Sequence, residues 1–202
     1  PKMKSKNTIN FTKEYFNGIY KTLRKLDLLK INLLIEELVK LQKNNGRIFF
    51  IGVGGSSANS THAVNDFRKL CNIESYSPFD NFSELTARIN DDGWDSSIVE
   101  WLKISKLNNN DVLFVLSVGG GNIKKKVSVN IVKAIKFAKK NHSKILGIVG
   151  KKDGYTYKKA DLAIFTPVTN KKLLTPYSES FQSVILHCIV SDPRLQKNKT
   201  KW

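Results

Sequence analysis

His62 and Asp66 stand four residues apart, so on a helix they share one face and can converge on one metal ion or one substrate carbon. Glu179 and His187 stand eight apart, just over two turns, and again fall near one face. Val184, Ile185, Leu186, Ile189 and Val190 supply the apolar side of that second segment. A charged Glu179 on so apolar a helix needs a partner if it is buried. Two histidines and two carboxylates make a four-ligand set of mixed nitrogen and oxygen donors, a chemistry suited to zinc. A histidine on a helix also serves as a packing or capping residue, and spacing alone does not show that the two helices meet.

The elements around these residues are those of a ligand site. Arg47–Val53 is an apolar run that ends in the turn Gly52-Val53-Gly54-Gly55-Ser56-Ser57 and continues into helical spacing. A buried strand, a tight loop and a helix N-terminus in that order bring backbone N–H groups and the helix dipole onto any anion in the loop. The turn lacks the last glycine of a dinucleotide fingerprint and the Gly-Lys-Ser/Thr of a triphosphate loop, so a small phosphate ester suits it better. A second apolar run, Asp111–Ser117, ends in Gly119-Gly120-Gly121-Asn122, followed by Lys124-Lys125-Lys126. Lysines opening a helix oppose its dipole, and a bound anion would relieve that; a solvated lysine patch is the other reading.

Further strands are expected at Ser143–Gly150 and Leu162–Phe165, with a short one near Ile73–Ser75. Helices are expected over Ser56–Leu70, near Phe82–Ile89 and Ser96–Ser105, through Val127, Ile131, Ala134, Ile135 and Ala138, and over Tyr177–Val190. Leucines and isoleucines from Leu23 to Leu41 predict two more helices within residues 9–45, broken near Asp27 and stopped by Asn44-Asn45-Gly46. Short apolar strands alternating with helices define an α/β fold, three layers about a parallel sheet of about five strands. Ligands of such sheets bind at the carboxyl ends of strands, where both glycine turns lie.

The chain has 202 residues, enough for one core and one domain over 1–202. Hydrophobic residues make up 41%, with 11 Phe and 3 Trp, which excludes a disordered chain. No apolar run reaches the roughly 18–20 residues of a membrane span, and no signal-peptide core follows the basic N-terminus, so a cytoplasmic protein is expected. The two cysteines, Cys71 and Cys188, are isolated and fit a reducing compartment. The net charge of +17 attracts polyanions, but it is carried mostly by dispersed Lys rather than by Arg in a stripe. Base recognition leans on the Arg fork, so nucleic acid is an unexpected partner and a small anionic ligand an expected one.

With these residues in place, the chain resembles the sugar isomerase (SIS) domain family, with its flavodoxin-like sheet, and within it the phosphoheptose isomerases. The family's Gly-Asn-Gly-Gly-Ser turn is matched by Gly52–Ser56, and its His and Glu four apart by His62 and Asp66. Its Leu-Thr-Ala…Asn-Asp segment is matched by Leu85–Asp91, and its serine-rich phosphate loop by Ser117–Asn122. Gly150–Gly154 matches a Gly-Lys-Asp-Gly-Gly-type turn, and Glu179 with His187 a Gln and His eight apart. Val53, Asp66 and Glu179 depart from the family's residues, and the phosphate loop has lost most of its hydroxyls.

The resemblance implies a ketose–aldose isomerase, converting sedoheptulose 7-phosphate to D-glycero-D-manno-heptose 7-phosphate through an enediol, for heptose-containing surface polysaccharide. It implies Asp66 and His187 as the acid–base pair and zinc on His62, Asp66, Glu179 and His187. Substrate and phosphate contacts would fall on Gly54, Gly55, Ser56, Ser57, Asp91, Ser117, Gly119, Gly120, Asn122 and Glu179. It also implies a homotetramer packed through the N-terminal helices. A non-catalytic family member that binds sugar phosphates or proteins is the alternative.

Overall fold

The computed structural model describes residues 2–200, and the side chains of residues 10–200. The single domain expected over 1–202 includes residues 1, 201 and 202, which lie outside the described residues. Five strands, β1 (Ile48–Ile51), β2 (Ser75–Tyr76), β3 (Val112–Ser117), β4 (Lys144–Val149) and β5 (Leu162–Phe165), pair in the order β2-β1-β3-β4-β5. Every pairing is parallel, which gives the flavodoxin-like α/β sheet that the sequence predicts. The order reverses between β1 and β3, so the crevice at their carboxyl ends is the topological switch point.

Successive residues of a strand face opposite sides, so each apolar run feeds two cores. Phe50, Phe114, Leu116 and Ile148 face α2 (Leu28–Lys43), α3 (Gly55–Cys71) and α8 (Leu174–Val190). Phe49, Ile51, Leu113 and Val115 face α5 (Trp94–Ile104) and α6 (Val129–Lys140). The start of β1 is tied to that of β3 by Arg47, whose Nη2 lies 2.7 Å from Oδ2 of the buried Asp111.

The N-terminal helices divide where the sequence predicts, because Asp27 accepts a hydrogen bond from Lys30 N (3.0 Å) and caps α2. Helix α1 (Lys2–Leu23) touches α8 through Tyr177, whose Oη donates to Tyr15 O (2.7 Å). A Cβ on Gly18 would lie 2.2 Å from that same hydroxyl, so a glycine permits the approach. Phe11, Phe16 and Tyr20 remain exposed on α1.

Some expectations are corrected. Val127 does not join a helix: it pairs with Asn122 in an isolated antiparallel bridge, and α6 opens two residues later. Lys124–Lys126 therefore sit in the turn of that bridge and do not open a helix. The short strand after α3 is displaced to Ser75–Tyr76. Two short elements are additional, α7 (Tyr155–Lys159) and a single 3₁₀ turn over Lys171–Leu173. The two remaining helices, α4 (Phe82–Asp92) and α5, form the pair expected between β2 and β3.

Candidate active site

Helices α3 and α8 each follow a strand of the same parallel sheet, so they run side by side in one direction. Polar bonds fix their register. Gln182 Nε2 donates to Ser56 Oγ (3.0 Å), and Asn59 Nδ2 donates to Gln182 Oε1 and to Glu179 O (both 2.9 Å). Further along, Cys71 Sγ approaches Val190 O at 3.8 Å.

Between these ties His62 and His187 meet. Their Nε2 atoms are 2.9 Å apart, and the rings stand edge to face at 82°. Asp66 Oδ2 lies 3.2 Å from His62 Nε2 and 3.6 Å from His187 Nε2. The Asp66 side chain is 14% exposed, whereas the histidines are 49% and 54% exposed, so the carboxylate floors a group whose imidazoles face solvent.

With no ion between them, two ring nitrogens at this distance need one donor and one acceptor. The donor set equally fits a metal. Nitrogen and oxygen ligands bonded at about 2.0–2.1 Å in a tetrahedron stand about 3.4 Å apart. The three separations here bracket that value, and these atoms form the one His/Cys/Asp/Glu group of metal-binding geometry among the described residues. Three protein ligands would leave a coordination position open, as in catalytic rather than structural sites.

Glu179 is not in the group. Eight residues carry it about 12 Å along α8 from His187, more than a carboxylate can span. Its carboxylate instead lies against Gly55 in the first turn of α3, where an added Cβ would stand 2.5 Å from Oε2. A negative charge there suits the positive end of the α3 dipole. The predicted four-ligand set thus divides within one chain into His62, Asp66 and His187 on one side and Glu179 on the other.

The predicted phosphate contacts also divide. Ser56 is buried and bonded to Gln182, while Ser57 Oγ donates to Gly54 O (2.7 Å). Gly54, at φ +63°, forms the turn that precedes α3. In the second turn Ser117 Oγ accepts from Gly120 N (2.9 Å), and Asn122 Oδ1 accepts from Lys125 N (3.0 Å). Those polar side chains shape their own loop. Among the described residues, the N–H groups of Gly119 and Gly121 have no protein acceptor.

The loop is braced from α7. Tyr155 N donates to Gly121 O (2.9 Å), while Thr156 N and Oγ1 both donate to Gly120 O (2.8 Å each). Asp91 is exposed in the last turn of α4, where its Oδ1 accepts from Asn90 Nδ2 (2.8 Å), outside the histidine group. Sequence reasoning missed Asn59, Gln182 and Thr156. Asn59 and Gln182 are polar residues on predicted helices, a signal too common to single them out, and Thr156 lies in a helix too short to show a period.

The chain belongs to the SIS domain family, whose model matches residues 13–150. Among its relatives is a phosphoheptose isomerase of Helicobacter pylori (strain Shi470), 26% identical over 182 residues, covering 88% of this chain and 87% of the relative. The solved phosphoheptose isomerase GmhA of Neisseria gonorrhoeae superimposes with a TM-score of 0.77 at 18% identity, covering 92% of this chain and 97% of that one. The phosphoheptose isomerase of Francisella tularensis gives the same TM-score at 16% identity, covering 92% and 95%. These structures share the fold. Among the described residues no helix is long and apolar enough to cross a membrane.

Proposed function

We propose that this chain is a phosphosugar isomerase that interconverts a ketose and an aldose, with sedoheptulose 7-phosphate and D-glycero-D-manno-heptose 7-phosphate as the pair. The observation that carries the reading is the His62–Asp66–His187 group, formed between two helices that follow strands of one parallel sheet. Relatives that bear the name phosphoheptose isomerase over nearly the whole chain support this reaction and this sugar. A heptose phosphate made in this way would feed surface polysaccharide.

The reaction needs a base to take the proton from C1 of the open-chain ketose and return it at C2 of the enediol, with proton movement between the two oxygens. Asp66 and His187 are the acid–base pair. Their reactive atoms are 3.6 Å apart, so a carbon and its hydroxyl can lie within reach of both. His62, within hydrogen-bonding distance of both, holds their orientation. The N–H groups of Gly119 and Gly121 take the phosphate.

Zinc is the metal that the donors suit, held by His62, Asp66 and His187, and it would supply Lewis-acid polarisation of the carbonyl. A side chain that ligates the ion gives up the lone pair with which it would take a proton. Activity measured against metal content therefore decides between the two duties of Asp66 and His187. The exposed aromatic side chains of α1 suit self-association, and we assign the chain to a homo-oligomer, a tetramer by the family resemblance.

The test incubates metal-quantified protein with sedoheptulose 7-phosphate in deuterated water, followed by NMR. Deuterium at C2 of an aldose phosphate, lost in Asp66→Asn and His187→Ala, is expected. Absence of conversion by folded, zinc-loaded protein overturns the heptose reading. Absence across a panel of ketose phosphates overturns the isomerase reading in favour of a binding protein.

A further inference from the structure

A loop that uses its own hydroxyl and amide side chains to hold its shape needs another source of charge to bind a phosphate. Beside Gly119–Gly121 lies a cavity of about 80 Å³ lined by the loop, Lys125 and Lys151, and Asp153. The hollow is small and polar, and a tetrahedral oxyanion fits it. An added Cβ on Gly119 would meet nothing within 4 Å, so the backbone there faces open space.

The two lysines come from different loops, and the structure fixes those loops against each other. A Cβ on Gly154 would stand 2.2 Å from Gly119 O, so the β4–α7 turn lies directly on the β3–α6 loop. The Tyr155 and Thr156 bonds to Gly121 and Gly120 hold that contact. Lys151 and Lys125 thus line the same hollow as the glycines, each from its own loop. Among the described residues neither lysine has an ion-pair partner within 4.0 Å. Asp153, the one carboxylate of the lining, opposes an anion. Lys124 and Lys158 share an adjoining hollow with Asp153 and offset it.

We infer that Lys125 and Lys151 form the phosphate subsite of this chain, binding a phosphate monoester by charge together with the free N–H groups of Gly119 and Gly121. Ammonium groups thus stand in for the hydroxyls the loop lacks. The inference rests on the phosphosugar reading for its ligand and goes beyond it in naming side chains that a search for serine and threonine passes over. A site of this kind is strongly salt-dependent, because its partners are exposed charges.

The test titrates inorganic phosphate into the protein at low ionic strength, by calorimetry and ³¹P NMR, with Lys125→Gln, Lys151→Gln and the distant control Lys139→Gln. Exposed charge pairs contribute modestly, so each of the first two variants should weaken binding about two- to fivefold at low ionic strength. Lys139→Gln should bind as the unaltered chain does, and Lys125→Arg should retain most of the affinity. Circular dichroism confirms that each variant is folded, which these exposed positions allow. Equal weakening by Lys139→Gln, or binding unchanged in both site variants, overturns the inference. Loss of phosphate binding in the site variants supports it even if no ketose phosphate turns over. Turnover with an unaltered KM in both overturns it and leaves the isomerase standing.

Discussion

His62 and His187 place their Nε2 atoms 2.9 Å apart across two helices, with Asp66 Oδ2 beneath them both. Two imidazole nitrogens and a carboxylate oxygen so close together bind a cation better than any of the three alone. The protein should take up one zinc ion per chain. His62→Ala and His187→Ala should each weaken uptake at least a hundredfold in competition with a chromophoric chelator. Glu179→Gln should change it less than threefold, because its carboxylate lies at Gly55. Uptake should fall in acid, where protons compete for the same ligands. A loss with Glu179→Gln equal to that with His187→Ala would place Glu179 among the ligands of one ion.

Two glycines that touch the site should answer unequally to alanine. At Gly55 the new methyl would meet only the flexible end of Glu179, so Gly55→Ala should cost less than about 1 kcal/mol in urea unfolding while displacing that carboxylate. At Gly154 it would meet the main chain of Gly119 and Gly120, which cannot step aside. Gly154→Ala should cost about 2 kcal/mol and loosen the glycine loop, read as faster amide exchange at Gly120 and Gly121.

Burial pushes the Cys71 thiol up to about 11, and the Asp66 charge adds to the effect. Cys188 is exposed. One thiol per folded chain should react with a disulfide reagent at pH 8, and Cys188→Ala should abolish that reaction. An unfolded thiol ionises near its ordinary 9.0, so the folded state keeps its full stability below that pH. It then loses stability as pH rises from there through about 11. Urea midpoints should fall more steeply over this window in the unaltered chain than in Cys71→Ala. Parallel curves would show that Cys71 does not contribute.

The exposed Phe16 and Tyr20 of α1 should be covered by another copy. Phe16→Glu with Tyr20→Glu should convert the oligomer to smaller species in light scattering. An unaltered mass would move the interface elsewhere, and a monomeric parent chain would remove it.

The sheet was legible because its strands carry nearly unbroken apolar runs, which only burial on both faces explains. The division between α1 and α2 was legible because Asp27 is a capping residue. The start of α6 was not, since Val127 has the spacing of the helix face yet is held by Asn122. Nor was α7, whose five residues are too few to show a period. The His62–Asp66 pair was legible from its spacing of four. The separation of Glu179 was hidden in the same arithmetic, because eight residues bring side chains round to one face and also carry them about 12 Å apart. The work done by Ser117 and Asn122 was illegible, since a side chain that binds a ligand and one that folds its own loop have the same sequence.

Tyr177 fits into the notch at Gly18 and donates to Tyr15 O, and it stands two residues before Glu179. The helix whose exposed aromatic side chains we propose for self-association thus contacts the same turn of α8 that presents a carboxylate to the glycine turn. If a second copy covers α1, Tyr177 is the side chain through which a displacement of α1 would reach the turn of α8 that carries Glu179.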